Sequence, residues 1–299
     1  MIGFVVPHIR DRRDIALVSA VERQLHARGF SLALRCSCGN QADERAAVEE
    51  LRDLGANGLI VRPVNSTFYY PALLQANLDR FATVLIDIGL PGIPLPHVVT
   101  DHTEAARALT RHLLSLGHSR IALVAREADD AAGATVLSDR LAGFAAAMDG
   151  AGTHPAGTLL LGKMASQPTD EPAEQAAAVA RLARFFADHA PVDALLAADC
   201  RIALQAWEAI TAAPRGDAPR PEIACLDGDA GGGVRACGSG LPQYTHMRQD
   251  PEAITGAAVG ILADALVGAG PAVPGPVRVA ARLHIRAALK ETEGSVATP

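Results

Sequence analysis

The sequence predicts an α/β protein of two Rossmann-like lobes, each with a parallel β-sheet covered by helices. Short apolar runs alternate with amphipathic stretches along the chain, which is the pattern of successive β-α units. Roughly ten such units are too many for one small sheet, and a domain of ordinary size holds fewer. The 299 residues suffice for two domains, each with its own core.

The elements of the first part follow from the spacing of apolar residues. Ile2–Val6 is a continuous apolar run, as a buried parallel strand requires. Apolar residues then recur at helical spacing as far as Gly29, which suits the left-handed position just past a helix. Further apolar runs predict a helix around Val48–Leu54 and strands at Leu32–Leu34, Gly58–Val61, Thr83–Asp87 and His97–Thr100.

The same alternation continues in the second part. Ala105–Leu116 predicts a helix that Gly117 closes. Apolar runs predict strands at Arg120–Ala125, Thr158–Leu161, Ala194–Ala198 and Glu222–Leu226. Helical spacing predicts helices at Val136–Met148, Ala173–Asp188 and Arg201–Ala212. Segments rich in proline and glycine predict loops at Leu90–Pro96, Pro214–Pro221 and Gly228–Pro242.

Composition and charge exclude several classes of protein. Hydrophobic residues make up 49% of the chain and charged residues 20%, as in ordinary globular proteins. No apolar run approaches the roughly 20 residues that a bilayer requires, so no membrane partner is predicted. The first apolar stretch precedes its basic cluster, whereas a secretory signal has the reverse order, so we expect a cytoplasmic protein. A net charge of −6 argues against direct nucleic-acid binding by this chain.

The reactive residue types show no catalytic or metal-binding pattern. The five cysteines, at positions 36, 38, 200, 225 and 237, include no C-x-x-C pair, so we expect free thiols in a reducing cytosol. The chain contains no G-x-S-x-G, H-E-x-x-H or Walker A sequence. The sequence therefore predicts no enzyme activity, no cofactor and no metal.

Polar residues concentrate just after the predicted strands. In an open parallel sheet, ligands bind beyond the carboxyl ends of the strands. A set of converging polar groups at this edge suits a hydroxyl-rich small molecule. The segments that follow the strands are Pro7–Arg13, Cys36–Asn40, Arg62–Asn65, Asp87, Arg126–Asp130, Asp199–Arg201 and Asp227–Asp229.

Several longer motifs occur in a fixed order over nearly the whole chain. They are IGFVVPHI, NGLIVRPVNS, VVTDHTEAARALTRHLLSLGHSRIALVA, SDRLAGFAAAM, ALLAADCRIALQAW, EIACLDGD and HMRQDPEAITGAAVGIL. In sequence, order and spacing they resemble the effector-binding domain of the LacI/GalR family of transcriptional regulators. That domain is itself similar to the type I periplasmic binding proteins.

The resemblance implies a fold, an assembly and a domain division. It implies two lobes joined by three hinge crossovers, with the ligand in the cleft between them. One lobe would hold residues 1–125 plus 250–276, the other 126–249 plus 277–290, and 291–299 would be a tail. The family forms homodimers and contacts DNA through an N-terminal helix-turn-helix headpiece. Because the first predicted strand begins at Ile2, we expect that headpiece to lie outside the given sequence.

The same resemblance assigns ligand-binding residues, each with a structural alternative. Arg140 corresponds to the family arginine that binds ligand hydroxyls, although it could instead pair with Asp139 at the surface. Asp227 corresponds to an acidic ligand-binding residue and could equally cap a turn. Asp199 stands where the family usually has asparagine, and its alternative role is a helix N-cap. The crossover contributes Gln249 and Arg248, whose alternative is a strand edge satisfied by the backbone.

The first loop departs from the family pattern. Family members often place an aromatic residue there, whereas this chain has charged residues that include Arg10 and Asp11. Arg62 and Asp87 follow later strands and complete the predicted binding residues. Arginines at these strand ends suggest an acidic effector, a sugar acid or sugar phosphate. They could instead pair with Asp11, Asp14 and Asp87 at a solvated rim.

These expectations favour an effector-sensing domain of a LacI-type regulator. A sugar or sugar-like effector would close the lobes, and closure would shift the dimer geometry that a headpiece needs to reach DNA. The alternative is a stand-alone solute-binding protein of a transport system, which would share the fold and the cleft.

Overall fold

The computed structural model describes residues 1–9, 12–64, 70–90, 92–127, 131–162, 172–189, 191–212, 219–228, 244–268 and 275–285. The strands are β1 (Ile2–Val6), β2 (Leu32–Cys36), β3 (Gly58–Val61), β4 (Thr83–Ile86), β5 (His97–Thr100), β6 (Ile121–Arg126), β7 (Gly157–Leu161), β8 (Ala194–Ala197), β9 (Glu222–Cys225), β10 (Thr245–Arg248), β11 (Val277–Val279) and β12 (Arg282–His284). The helices are α1 (Arg12–His26), α2 (Gln41–Asp53), α3 (Pro71–Leu78), α4 (His102–Ser115), α5 (Ala131–Gly150), α6 (Pro172–Asp188), α7 (Cys200–Ala212) and α8 (Pro251–Leu266).

The first lobe contains a parallel sheet with the strand order β11-β5-β4-β3-β1-β2. Side chains of a strand alternate between the two faces of a sheet. Phe4 accordingly packs with residues of α1 and α8 on one face, whereas Val5 packs with residues of α2 and α3 on the other. Both faces are covered, which explains why the central strands β1 and β3 are apolar throughout.

The second lobe contains a sheet with the strand order β12-β10-β9-β8-β6-β7. Its strands are parallel except for the antiparallel pair β10 and β12. The core includes Phe144 from α5, Leu182 from α6 and Ile202 from α7. Within the described ranges no helix is long and apolar enough to cross a membrane. The predicted fold class, two α/β lobes with mostly parallel sheets, is confirmed.

Three described segments carry the chain between the lobes. They connect β5 to α4, β10 to α8, and β11 to β12. Helix α8 packs on α1 and on strands of the first sheet, although the strand before it lies in the second sheet. Each lobe is therefore assembled from separate parts of the sequence.

Two of the predicted domain boundaries are wrong. The chain leaves the first lobe after β5, not at residue 125, because the apolar face of α4, including Leu109 and Leu113, belongs to the second core. Strand β6 follows in the second sheet. The predicted second lobe also began at residue 277, but β11 pairs with β5 in the first sheet and only β12 lies in the second.

Candidate functional site

A hydrogen-bonded group of polar side chains connects the two lobes at the crossovers, and Gln249 is at its centre. Gln249 is 6% exposed and follows β10 directly. Its Nε2 donates to Asp227 Oδ1, at the end of β9, over 2.9 Å. Its Oε1 accepts from Arg13 Nη2 of α1 and from Thr100 Oγ1 of β5, both at 2.9 Å. The amide therefore contacts polar groups of both lobes.

On the side of the first lobe, two arginines hold a largely buried carboxylate. Asp87 follows β4 and accepts from Arg62 Nε over 2.9 Å and from Arg13 Nη2. Arg62 also binds Asp14, which is buried. Burial alone would raise the pKa of Asp87, but the charges of Arg13 and Arg62 hold it well below its usual range. Asp87 is therefore ionised and neutralised within its own lobe.

Asp87 also has an unusual backbone conformation. Its φ of 74° lies in the left-handed region, which non-glycine residues other than asparagine and aspartate rarely adopt. Such conformations persist where the surroundings fix them, and they concentrate at functional sites. At Asp87 the left-handed backbone directs the carboxylate towards α1, and the contacts with Arg13 and Arg62 hold it there.

On the side of the second lobe, Arg140 of α5 faces Asp227. The distance from Arg140 Nη2 to Asp227 Oδ2 is 3.6 Å, which is an ion pair but too long for a hydrogen bond. Arg140 Nε is buried and has no hydrogen-bond partner among the residues that the structure describes. A buried N–H without an acceptor is unfavourable by about 1–3 kcal/mol, so a ligand oxygen there would relieve that penalty.

His102 of α4 lies among these charges and is buried. Its burial, followed by the positive charge of Arg140, lowers its pKa from 6.5 to about 4. The imidazole is therefore neutral at neutral pH, with one nitrogen that donates and one that accepts.

A cavity of about 240 Å³ adjoins this group and shares Asp87 and His102 with it. The first lobe contributes the segment after β4 together with residues of β5 and β11, and the second lobe contributes the start of α5. Arg278 of β11 lines it and donates to Asp139 Oδ2 of α5 over 2.9 Å, across the lobes. A cavity with converging donors and acceptors suits a small polar solute.

The structure brings together Arg140, Asp227, Gln249, Arg62 and Asp87 of the predicted binding residues. That they bind a ligand stays a prediction.

The other predicted binding residues are Asp199, Arg248, Arg10 and Asp11. Asp199 takes its alternative role: its Oδ1 accepts from the N–H of Ile202 over 2.8 Å at the start of α7. Arg248 is exposed on β10, where it lies opposite Arg282 of β12. Arg10 and Asp11 lie outside the described residues.

Sequence reasoning missed Arg13, Thr100 and His102. Arg13 is the last residue of a predicted strand-end segment, Pro7–Arg13, where ligands are expected to bind. The sequence did not show which of the several charged residues in that segment points towards the site. His102 lies one position inside a helix, beyond the strand end. In the described ranges no three residues of the types His, Cys, Asp and Glu are close enough to hold a metal ion.

A family model described as a periplasmic binding protein domain matches residues 2–270. Among curated proteins, the arabinose metabolism transcriptional repressor of Geobacillus stearothermophilus is 31% identical over 146 residues, which is 48% of this chain and 39% of that protein. The regulator PtxS of Pseudomonas plecoglossicida is 26% identical over 50% of this chain and 42% of its own length. The alignments thus span about two fifths of these regulators' length.

Solved structures show the same fold. A putative ribose operon repressor from Burkholderia thailandensis has a TM-score of 0.72 at 22% identity, over 95% of this chain and 98% of that chain. The Cra dual regulator from Pseudomonas putida, solved with fructose 1-phosphate, has a TM-score of 0.71 at 19% identity, over 96% of this chain and 98% of that one. These relatives are transcriptional regulators and not enzymes, which agrees with the predicted LacI/GalR resemblance. Because the family model covers most of its length, this chain belongs to the periplasmic binding protein domain family.

Proposed function

We propose that this chain is the effector-sensing part of a LacI/GalR-type transcriptional regulator. In this proposal it binds a sugar or sugar-like solute reversibly between its lobes and does not transform it. The observation that carries the proposal is the Gln249 amide, which is hydrogen-bonded to Arg13 and Asp227 from the two lobes. The regulators among the curated relatives support the sensing role over that of a transport protein with the same fold.

The charges around Gln249 favour a neutral, hydroxylated ligand over an acidic one. Each arginine of the described site faces a carboxylate: Arg13 and Arg62 face Asp87, and Arg140 faces Asp227. An acidic ligand would have to displace one of these carboxylates from its arginine. A sugar hydroxyl both donates and accepts, so it can bind an arginine and a carboxylate without separating them.

The proposed mechanism is a shift in the population of lobe arrangements. A ligand that contacts Arg140 and Asp227 in one lobe and Asp87 in the other binds the closed arrangement better than the open one. In a homodimer, closure would change the distance between two DNA-binding headpieces. In this proposal the chain is cytoplasmic and contacts DNA only through such a headpiece.

The test begins with a thermal-shift panel of neutral sugars, sugar acids and sugar phosphates. A ligand present at 100 times its Kd stabilises the folded protein by about 2.7 kcal/mol, which the melting temperature reports. We expect at least one neutral sugar to stabilise the protein. Failure of all three classes would refute the proposal, and stabilisation by acids alone would refute the neutral ligand.

Once the panel has identified a ligand, calorimetric titration measures how much each predicted residue contributes to its binding. Arg140→Lys removes the fork and its Nε donor, and Asp227→Asn removes the charge that faces it. Each should weaken binding by about 1.5–3 kcal/mol, the contribution of a hydrogen bond to a charged group. Arg23→Lys is the matched control, because Arg23 is 57% exposed and pairs with Glu252 at the surface. Equal affinity in all four proteins would exclude this binding site.

A further inference from the structure

The loop between β2 and α2 holds two cysteines with both thiols at the surface. Cys36 ends β2, Cys38 lies two residues later, and both are exposed. Ser37 between them is fully buried, so the chain alternates outward, inward and outward. The two sulfur atoms are 4.0 Å apart.

The backbone of this loop is fixed so that the two thiols stay on the same side. Cys38 has a φ of 51° and Gly39 a φ of 73°, which turns the chain sharply. The N–H of Ser37 donates to the Val6 carbonyl over 2.9 Å, and that of Asn40 donates to the Ser37 carbonyl over 2.8 Å. The loop is thus tied to the end of β1 on one side and to the start of α2 on the other.

We propose that Cys36 and Cys38 form a modification site, a dithiol that closes reversibly to an intraloop disulfide by exchange with a small-molecule disulfide such as oxidised glutathione. A disulfide bond needs sulfurs about 2.05 Å apart, so rotation of the side chains must bring the two sulfurs about 2 Å closer. A bond across so short a loop is exposed and strained, and such bonds are the easily reduced, regulatory kind.

The exchange balances in two steps. The thiolate of one cysteine attacks the small disulfide, forms a mixed disulfide and expels one small thiolate. The thiolate of the other cysteine then attacks the protein-bound sulfur and expels the second small thiolate. The two protein thiols lose two electrons, the small disulfide gains them, and the two thiol protons pass to the expelled thiolates.

The other described cysteines provide internal controls. Cys225 is buried, and this burial raises the pKa of its thiol well above the usual value, so it is a poor nucleophile. Cys200 is half-buried at the start of α7, in the other lobe. Cys237 lies outside the described residues.

Closure of the disulfide has a consequence for the first loop. The Cys36 thiol donates to the Pro7 carbonyl over 3.2 Å, and the N–H of Gly39 donates to the same oxygen over 3.1 Å. Oxidation removes the thiol proton, so only the bond from Gly39 remains. Pro7 precedes the segment that leads to α1, the helix that carries Arg13 into the candidate site.

The test uses the full chain equilibrated in glutathione buffers of increasing oxidation, with a chelator present. Free thiols are alkylated, and the protein is digested with trypsin. Cleavage after Arg35 and Arg45 releases a peptide that contains Cys36 and Cys38 and no other cysteine. In oxidising buffer we expect this peptide to be about 2 Da lighter than the dithiol and to carry no alkyl label, and reductant should restore both labels.

Two variants make the result specific. Cys200→Ser should behave as the original protein does, whereas Cys38→Ser should leave Cys36 as a mixed disulfide with glutathione. The proposal is overturned if the peptide stays fully alkylated, if both cysteines carry glutathione, or if either pairs with a cysteine outside the peptide.

Discussion

Replacing Glu44 by glutamine should change how the stability of this protein depends on pH. Glu44 is in the first turn of α2 and is 3% exposed. Its Oε2 accepts from the N–H of Val64, just beyond β3, over 2.6 Å. Burial raises the pKa of Glu44 from 4.5 to about 7, and the Val64 bond offsets only part of that rise.

The sign and size of the effect follow from this pKa. Between about pH 4.5 and 7 the folded protein keeps the Glu44 proton and the unfolded chain loses it, so stability falls as pH rises through this window. At ~1.36 kcal/mol per pKa unit, the full loss is on the order of 3 kcal/mol. Glutamine is neutral at every pH, and its oxygen can still accept from Val64. The Glu44→Gln variant should therefore lack this loss.

Urea unfolding at pH 5, 6, 7 and 8 measures the difference. The free energy of unfolding of Glu44→Gln minus that of the original protein should rise by about 2–3 kcal/mol from pH 5 to 8. Glu49→Gln is the control, because Glu49 is on the same helix, loses the same charge and is 57% exposed. Its difference should stay within about 0.5 kcal/mol. Parallel pH curves for the two variants would refute the reasoning.

Three further substitutions test the packing and the polar site, each by urea unfolding. Gly143→Ala places a methyl group against the Thr103 carbonyl oxygen where α5 meets α4, so it should destabilise the protein by about 2 kcal/mol or more. Gly150→Ala is its control, because Gly150 lies on the same helix with open space around it. Asp87→Asn keeps the backbone conformation but removes the carboxylate that faces Arg13 and Arg62, although Arg62 keeps Asp14, and it should destabilise by about 3 kcal/mol. Gln249→Met removes the bonds to both lobes at similar volume and should destabilise by about 2 kcal/mol. A value under about 0.5 kcal/mol would contradict the prediction for that residue.

The central strands of the sheets could be predicted from the sequence because buried parallel strands are largely apolar. Ile2–Val6, Gly58–Val61 and His97–Thr100 have the predicted bounds. The lobe boundary could not be predicted in this way. The sequence of α4 shows that one face is apolar but not which sheet covers it, and Leu109 and Leu113 prove to pack in the second core.

The candidate site was predictable to the extent that it follows strand ends. Asp87, Arg62 and Asp227 follow the carboxyl ends of strands, where ligand-binding residues were expected. Gln249 was predicted from the family resemblance. The sequence could not decide whether the arginines face a ligand or pair with carboxylates, because that depends on which helix lies across the sheet edge. The alternative of pairing with carboxylates holds for Arg62, which binds Asp14 and Asp87, and Arg140 faces Asp227.

This pairing also determines how easily the lobes can separate. The ion pairs of Arg62 with Asp87 and of Arg140 with Asp227 each lie within one lobe, so opening the cleft leaves them intact. The contacts that bridge the lobes include the ion pair of Arg278 with Asp139 and the neutral amide of Gln249. Gln249 binds Asp227 on one side and Arg13 and Thr100 on the other, so separation must break the Arg278–Asp139 bond and at least the bond of Gln249 to Asp227. Each such bond contributes about 1.5–3 kcal/mol. Two arrangements that differ by a few kcal/mol can be redistributed by the binding energy of one small solute. An ion pair in place of Gln249 would add to that of Arg278 with Asp139, hold the lobes closed more firmly and leave a smaller free-energy difference for the effector to supply.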